Sequence, residues 1–221
     1  MSRTKSKREV ECLAKAARIT KSIFERVARD VRPGARESDI AALIEKNIKA
    51  RGLKRSFKTI VASGPNGAKP HAKVTTRKIK KNDQVVIDFG LKYKGYCSDM
   101  TRTIVIGKAS SKMKQFYSAV KTAQSMAIER VRPGLKIADL VSGAHGYLRK
   151  KGLGKYILHT LGHGVGRKIH ESPKLSEKNN NLIQENMVVT IEPGLYAKGV
   201  GGVRIEDMIL VGSKGAKVLT R

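Results

Sequence analysis

The chain has 221 residues, 40% of them hydrophobic, so it can bury a substantial core as one domain or as two closely packed halves. Its formal net charge is +28, from 46 lysines and arginines spread along the whole sequence against 18 acidic residues. The longest apolar runs are too short to span a bilayer, the charged start is unlike a signal peptide, and two cysteines do not make a disulfide framework or a zinc motif. We therefore expect a cytoplasmic protein that does not contact membranes.

Four helices are predicted from apolar side chains that recur at steps of three and four. Pro33 and Gly34 follow the first helix and end it, and Ser38 is the expected N-cap of the second. A short strand near residues 57–62 comes next. The predicted helices cover about residues 6–31, 38–52, 111–130 and 136–151.

Two predicted hairpins each carry two carboxylates among residues that would otherwise be core. Residues 84–103 form two extended segments joined by a turn at Lys94-Gly95, with Asp88 in one arm and Asp99 in the other. Residues 185–211 repeat the design with Glu192 and Glu206. A buried carboxylate is costly unless a cation neutralises it. Ion-paired strand ends would explain one pair, but four such residues favour a site for divalent cations.

The sequence contains an internal duplication. Residues 31–53 align with 131–153 without a gap, at an offset of 131 − 31 = 100, and both copies begin with Val-Arg-Pro-Gly. A glycine-rich loop that contains histidine and an acidic hairpin follow each copy. We therefore predict an α+β fold over residues 1–221, with halves at about 6–108 and 109–221 related by a pseudo-two-fold axis around a curved antiparallel sheet. The four carboxylates would meet at the axis.

The histidine-containing loops complete the predicted site. His163 lies between two glycines, which let the backbone approach a ligand closely, and it is a candidate metal ligand rather than a packed histidine. His170 could donate to a developing oxyanion, and His71 occupies the matching place in the first half, since 170 − 71 = 99. Two carboxylate-bridged cations would activate a shared water and polarise a carbonyl, and the histidines would also move protons.

Four motifs surround these residues: SGPNGAKPH at 63–71, GHGVGRKIHESP at 162–173, TIEPGLY at 190–196 and GGVRIED at 201–207. Together with the ordered acidic residues and His163, they resemble the pita-bread-fold metallopeptidases, which include methionine aminopeptidase, aminopeptidase P, prolidase and creatinase. The resemblance covers nearly the whole chain. It implies that Asp88 and Asp99 bind one metal, His163 and Glu192 bind the other, and Asp99 and Glu206 bridge the two. Glu192 would also accept a proton, and His71 and His170 would contact the substrate.

Within this family the sequence is most similar to the proline-specific branch, because SGPNGAKPH and CSDMTRT look like the loops of aminopeptidase P and prolidase. This implies an exopeptidase that removes the first residue from Xaa-Pro peptides or dipeptides, with two manganese or cobalt ions favoured over zinc or iron. In that branch the residue that matches Arg204 recognises the substrate's carboxylate. The alternative for Arg204 is a structural partnership with Asp207 or with a metal ligand. The HESP segment at 170–173 favours aminopeptidase P over a strict dipeptidase.

These enzymes usually carry an additional amino-terminal domain, which we expect to be absent here, so peptide length preference and a homodimer stay open. Methionine aminopeptidase activity is one alternative function. A catalytically inactive binding module for RNA, histones or ribosomes is another, although the chain keeps all five ligand residues. The basic charge also raises the expectation of weak association with polyanions or ribosomes, or else reflects adaptation.

Overall fold

The computed structural model describes residues 4–221, and within that range the chain folds into four α-helices and thirteen short strands. The helices are α1 (Lys7–Val27), α2 (Glu37–Lys49), α3 (Ser111–Arg130) and α4 (Ile137–Lys150). The strands of the first hundred residues are β1 (Lys54–Arg55), β2 (Ile60–Ser63), β3 (Gln84–Phe89), β4 (Leu91–Tyr93), β5 (Tyr96–Cys97) and β6 (Met100–Val105). The remaining strands are β7 (Gly162–Gly164), β8 (Glu171–Leu175), β9 (Val188–Ile191), β10 (Gly194–Ala197), β11 (Gly201–Arg204), β12 (Asp207–Val211) and β13 (Ala216–Val218).

All four predicted helices are present, but the predicted N-cap of the second is wrong. Ser38 lies inside α2, which begins at Glu37. The backbone N–H groups of Glu37 and Ser38 donate to the carbonyl oxygens of Arg77 and Thr75, at 3.1 and 3.0 Å. Backbone carbonyls of a neighbouring loop therefore satisfy this helix terminus, which needs no capping hydroxyl.

Each predicted hairpin exists, and each is interrupted at carboxylate positions, although Asp88 stays within β3. Strand β3 pairs with β6, while β4 pairs with β5 across the Lys94-Gly95 turn, where both φ angles are positive. In the second half β9 pairs with β12, and β10 with β11. Asp99, Glu192 and Glu206 fall in the breaks between these pairs. The interruptions therefore place carboxylates at strand ends, where their side chains leave the regular ladder.

All strand pairs are antiparallel, and the two hairpins meet at their acidic ends. The strand orders are β2-β3-β6, β13-β12-β9-β7-β8, β10-β11 and β1-β4-β5. The N–H of Glu206 donates to the carbonyl of Thr101 at 3.1 Å, and the hydroxyl of Thr103 donates to the carbonyl of Arg204 at 2.9 Å. These bonds join β6 of the first half to the β11–β12 segment of the second.

The two copies of the internal repeat have equivalent surroundings. Gly34 N donates to Ile79 O and Gly134 N donates to Ile183 O, both at 2.9 Å. An isolated β-bridge also precedes each second helix, from Arg36 to Lys78 and from Lys136 to Leu182. The duplication in the sequence therefore corresponds to repeated backbone structure.

The hydrophobic core lies between the helices and the sheets. One cluster joins α1 and α2 to β3, with Ile44 and Phe89 fully buried, and a second joins α4 to β9 and β12. A third packs α3 against β10 and β11. Among the described residues, no helix combines the length and apolar character that a membrane span requires.

Candidate metal centre and active site

The structure brings the five predicted metal ligands together in the wall of one cavity of about 1460 Å³. Ligand atoms of Asp99, His163 and Glu206 all lie within 4.8 Å of one another. His163 Nε2 is 3.5 Å from Asp99 Oδ2 and 3.4 Å from Glu192 Oε1. Asp88 reaches the same cavity from β3. The expected convergence of the two hairpins on one acidic centre is therefore present in the structure.

The hydrogen bonds of His163 prepare its second nitrogen for a cation. Its Nδ1 lies 3.1 Å from the carbonyl oxygen of Gly164, an acceptor, so Nδ1 carries the proton. Nε2 then presents a lone pair toward the oxygens of Asp99 and Glu192. Burial lowers the pKa of His163 to about 4, which favours the neutral ring that metal coordination requires.

The glycines beside His163 allow the neighbouring strands to pack closely. A Cβ on Gly162 would lie 2.0 Å from the carbonyl oxygen of Thr190, and one on Gly164 would lie 2.3 Å from that of Ser172. Both oxygens belong to the backbone of the adjacent strands, β9 and β8, so they cannot move aside. These glycines let β7 fit closely between β8 and β9, and the close approach of this backbone to a ligand stays a prediction.

The four carboxylates repel one another in a buried setting. Burial, followed by the charge of Glu206, raises the pKa of Asp99 well above its usual range. Burial and the charge of Glu192 do the same to the pKa of Glu206, and burial raises the pKa of Glu192 to about 7. Burial also raises the pKa of Asp88, although Arg204 opposes it. Such a cluster is expensive to ionise unless cations neutralise it.

Arg204 is the buried cation that faces this cluster. Its Nη2 donates to Asp88 Oδ2 at 2.6 Å, its Nη1 to the hydroxyl of Tyr196 at 2.8 Å, and its Nε to Thr101 Oγ1 at 3.1 Å. Asp207 pairs instead with Arg102, at 2.7 Å, so the alternative that joined Arg204 to Asp207 is wrong. Arg204 is the partner of a predicted metal ligand.

One oxygen of Asp88 tests whether the site suits a metal. Asp88 Oδ2 is held by Arg204, while Oδ1 is buried and has no hydrogen-bond donor among the described residues. A buried carboxylate oxygen without a donor is costly. The oxygen-rich set with one neutral imidazole suits divalent cations such as manganese, cobalt, iron or zinc, so the residues present fit a metal centre.

The two other predicted catalytic histidines also line the cavity. The rings of His170 and His163 meet edge to face, with centroids 4.3 Å apart. His71 lies at the end of the segment 63–71, and it is exposed to the cavity. The structure therefore places His71 and His170 beside the acidic cluster.

A buried carboxylate holds the loop that carries His71. Glu37 has no exposed surface, and its Oε1 accepts hydrogen bonds from the N–H and the hydroxyl of Ser63, both at 2.7 Å. Its Oε2 accepts from the hydroxyl of Thr75 at 2.6 Å, and both oxygens accept from Asn66 Nδ2. Glu37 thus closes the base of the loop between residues 63 and 75.

A second carboxylate holds the loop between His163 and His170. Glu171 Oε2 accepts a hydrogen bond from Lys5 Nζ at 2.7 Å, and Oε1 accepts from the backbone N–H of Lys168 at 3.1 Å. Burial opposes ionisation, but the hydrogen bond from Lys5 lowers the pKa of Glu171. Lys5 itself is 5% exposed, so the start of the described chain is packed against this loop.

Sequence reasoning gave no role to Tyr196 and His159. Tyr196 accepts a hydrogen bond from Arg204 and lies 2.8 Å from His159 Nε2, while His159 Nδ1 is 2.8 Å from the carbonyl oxygen of Thr160. Tyr196 therefore donates to His159, and the whole chain of bonds ends on Asp88. Burial and the charge of Arg204 lower the pKa of His159 to about 4, so the ring is neutral. Tyr196 ends the TIEPGLY motif and His159 lies three residues before the GHGVGRKIHESP motif, which was the one signal available.

The sequence model of Metallopeptidase family M24 matches residues 11–213, which is most of the chain. The chain belongs to metallopeptidase family M24. The match includes both acidic hairpins and the His163 loop, so the M24 assignment rests on the part of the molecule that forms the cavity.

Relatives of this M24 chain are similar over nearly all of it. The Xaa-Pro dipeptidase of Pyrococcus furiosus is 41% identical over 218 residues, which are 98% of this chain and 63% of that protein. The structure of an Xaa-Pro dipeptidase from Bacillus anthracis superposes with a TM-score of 0.96 at 40% identity, over 99% of this chain and 62% of that one. An X-Pro aminopeptidase from Thermotoga maritima gives a TM-score of 0.95 at 37% identity, over 99% and 62%.

These likenesses confirm the predicted pita-bread fold, since the superposed structures are M24 peptidases of that architecture. The chain spans less than two thirds of the length of these relatives. The comparisons therefore show membership of family M24 for the part of the relatives that this chain matches.

Proposed function

We propose that this chain is the catalytic part of a dimetal exopeptidase that removes the first residue from Xaa-Pro dipeptides and short Xaa-Pro peptides. The observation that carries the proposal is the cluster of four carboxylates and a neutral histidine in one cavity, in which Asp88 Oδ1 has no donor within residues 4–221. The names of the relatives support the proline-specific branch over methionine aminopeptidase. Dipeptides are favoured because proteins named dipeptidases reach 40–41% identity and the aminopeptidase 37%.

In this proposal Asp88 and Asp99 would hold one cation, His163 and Glu192 would hold the other, and Asp99 and Glu206 would reach both. The oxygen-rich set favours manganese or cobalt. Divalent cations in such a site supply an activated water and a polarised carbonyl. The contacts between His163 Nε2 and the oxygens of Asp99 and Glu192, at 3.5 and 3.4 Å, support the assignment, because a lone pair would otherwise face carboxylate oxygens.

The remaining residues act on the substrate. Glu192 accepts the proton of the attacking water, and the hydroxyl of Thr190, 3.3 Å away, orients its carboxylate. His170, fixed against the ring of His163, donates to the oxygen that becomes negative in the tetrahedral intermediate. His71 contacts the substrate from the opposite half of the molecule.

The contacts of Arg204 favour a different duty from the one its motif implies. Its guanidinium makes four hydrogen bonds, to Thr101, Pro70, Tyr196 and Asp88, and a guanidinium has five N–H donors. One donor is left, which is too few for the paired recognition of a substrate carboxylate. We therefore assign Arg204 to holding Asp88, with at most one hydrogen bond to the substrate.

The test is hydrolysis by metal-stripped protein reloaded with manganese, cobalt or zinc. The substrates are an Xaa-Pro dipeptide, a longer Xaa-Pro peptide and a Met-Ala peptide. We expect cleavage of the proline substrates alone, and the ratio of the two rates separates dipeptidase from aminopeptidase P. The variant Asp99→Asn should be inactive, whereas Asp139→Asn, an exposed change in α4, should keep full activity. Cleavage of Met-Ala alone, or none at all by metal-loaded protein, would refute the proposal.

The basic composition supports a further proposal, weak binding of polyanions such as ribosomal RNA by a cytoplasmic protein. The affinity for RNA, measured by co-sedimentation, should decrease steeply between 50 and 200 mM salt. The decrease should be a factor of about 10³ or more if six or more phosphates are neutralised. Sedimentation of the protein alone also reports whether it forms a homodimer, which the sequence leaves open. Binding that is insensitive to salt would contradict a polyanion contact.

A further inference from the structure

Behind the predicted metal centre, on the other side of the sheet, lies a group of residues that the function described above does not use. Asp207 is buried next to Glu206 in sequence, and its carboxylate accepts hydrogen bonds from four side chains. We call these five residues the Asp207 cluster: Asp207, Arg102 (2.7 Å), Thr220 (2.7 Å), Arg221 (3.0 Å) and Gln124 (3.1 Å).

The alternation of side chains along a strand explains why this cluster lies behind the site. Successive residues of a strand point to opposite faces. Glu206 lines the cavity, and the hydroxyl of Thr101 donates to Glu206 Oε2 at 2.7 Å, so the two side chains lie on the same face. Arg102 and Asp207, the next residues of each segment, meet on the other face. The ion pair and the predicted metal ligand therefore share a backbone.

Glu206 needs support because it falls in the break between β11 and β12. There the regular ladder supplies no partner for its backbone groups. Its N–H donates to the carbonyl of Thr101 at 3.1 Å, and its carbonyl oxygen accepts a short hydrogen bond from Arg102 Nη1. The guanidinium of Arg102 thus binds the backbone of Glu206 with one nitrogen and Asp207 with the other.

Gln124 extends the same support to the second glutamate. From α3, its Nε2 is within 3.3 Å of the carbonyl oxygen of Ile191 and within 3.2 Å of that of Ile205. Ile191 and Ile205 directly precede Glu192 and Glu206. The Asp207 cluster therefore contacts the backbone beside two of the predicted metal ligands.

We propose that Arg102 and Asp207 are positioning residues, which fix the backbone of Glu206 so that its carboxylate reaches the metal centre. This rests on the proposed metal site but goes beyond it, because neither residue touches the cavity or a substrate. Residues outside the coordinating set that orient a ligand typically change metal affinity by about 10–100-fold when replaced.

The test compares metal binding in variants of the Arg102–Asp207 ion pair with that in a variant of a control ion pair. Manganese is titrated into chelator-treated protein by calorimetry. Arg102→Met leaves Asp207 with its three other donors, so the fold should survive. We expect about a 10–100-fold loss of affinity for both ions, because Glu206 is proposed to reach both. Arg102→Lys should recover part of that affinity. Asp207→Asn removes the same ion pair from the other side and should also lower the metal affinity. It keeps the test usable if Arg102→Met proves poorly folded.

The pair Arg77–Asp83 provides the matched control. It is also a close ion pair, at 2.6 Å, and the side chain of Arg77 is 20% exposed where that of Arg102 is 21% exposed. Arg77→Met should lower the melting temperature without changing the affinity for either ion. The spectrum of the cobalt-loaded protein gives a second reading, since a displaced Glu206 should alter the coordination bands in Arg102→Met but not in Arg77→Met.

Affinity of Arg102→Met within threefold of the native value for both ions would overturn the positioning proposal alone. If Arg77→Met lost as much affinity as Arg102→Met, the proposal would also be overturned. The loss would then reflect lower stability of the whole fold. Metal binding without peptide hydrolysis in the native protein would refute the proposed function but not this inference. A native protein that bound no divalent ion would refute both.

Discussion

The substitution Asp99→Asn should have opposite effects on stability and on metal binding. Asp99 lies at the centre of the acidic cluster, within 4.8 Å of ligand atoms of His163 and Glu206. Without a cation its charge is repelled, and burial with the charge of Glu206 raises its pKa well above the usual range. We expect metal-stripped Asp99→Asn to be more stable than the native protein, although it binds metal poorly.

The size of the gain follows from the geometry. Two ionised carboxylates 4.8 Å apart repel by about 3 kcal/mol at an effective dielectric constant of 20. Partial protonation relieves some of this repulsion in the native protein, so the variant should gain about 1–3 kcal/mol at pH 8. For a protein of this size, each kcal/mol corresponds to about 2–4 °C in melting temperature.

The sign of the pH dependence is also fixed. The pKa values of Asp99, Glu192 and Glu206 are raised on folding, that of Glu192 to about 7, so these groups stabilise the metal-stripped protein at low pH. Their contribution is lost as the pH rises through the folded values. His163 acts in the opposite direction, because its pKa is lowered to about 4 and its contribution is lost as the pH falls below about 6.5. The pKa values of His159 and His145 are lowered too, but all three histidines are present in both proteins. The difference between native protein and Asp99→Asn over pH 6.5 to 8 therefore reports on the carboxylates.

The assay is thermal unfolding of chelator-treated native protein, Asp99→Asn and the exposed control Asp139→Asn at pH 6.5 and 8, with and without manganese. Native stability should decrease from pH 6.5 to 8, and that of Asp99→Asn should decrease less. Manganese should raise the melting temperature of the native protein and of the control only. The reasoning fails if metal-stripped Asp99→Asn is less stable than the native protein at pH 8, or if manganese stabilises both equally.

Three further predictions concern the surroundings of the site. His71→Ala should leave both metals bound and lower kcat by about 10²–10⁴-fold, as measured by peptide hydrolysis with metal analysis; loss of metal would contradict this role. Glu37→Gln should also lower kcat, and its effect should not add to that of His71→Ala in a double-mutant cycle, because Glu37 acts through the His71 loop; additive effects would mean an independent role. Gly202→Ala places a Cβ 2.2 Å from the carbonyl oxygen of Gly67 and should destabilise the fold by about 1–3 kcal/mol, whereas Gly146→Ala, with open space in α4, should stabilise it by about 0.5–1 kcal/mol in denaturant unfolding.

The features predicted correctly from sequence are those set by local pattern. The helices follow from apolar periodicity, and the acidic hairpins follow from alternating residues around a turn of the Lys94-Gly95 type. The four carboxylates that the structure brings together could be named because buried acidic residues within core-like strands demand an explanation. Their role as metal ligands, with His163, stays a prediction.

The errors concern partners that only tertiary structure selects. Ser38 looked like a helix cap, but carbonyls of a loop nearly forty residues away replaced it. Arg204 and Asp207 are three residues apart, yet the break between β11 and β12 directs them to different partners, Asp88 and Arg102. Neither outcome could be read from spacing, because each depends on which distant segment packs alongside.

The ion pair between Lys5 and Glu171 makes the first described residues part of the wall that carries His170. A polypeptide attached ahead of residue 4 would be tethered at this wall, so movement of the attachment would pull on the histidine loop before it reached the sheet. Turnover should then respond to the length and stiffness of an amino-terminal fusion. Lys5→Met should weaken that response, while the backbone N–H of Lys5 still donates to the carbonyl oxygen of Asn186 at 2.7 Å. The position of the attached segment would then affect turnover through the buried contact between Lys5 and Glu171.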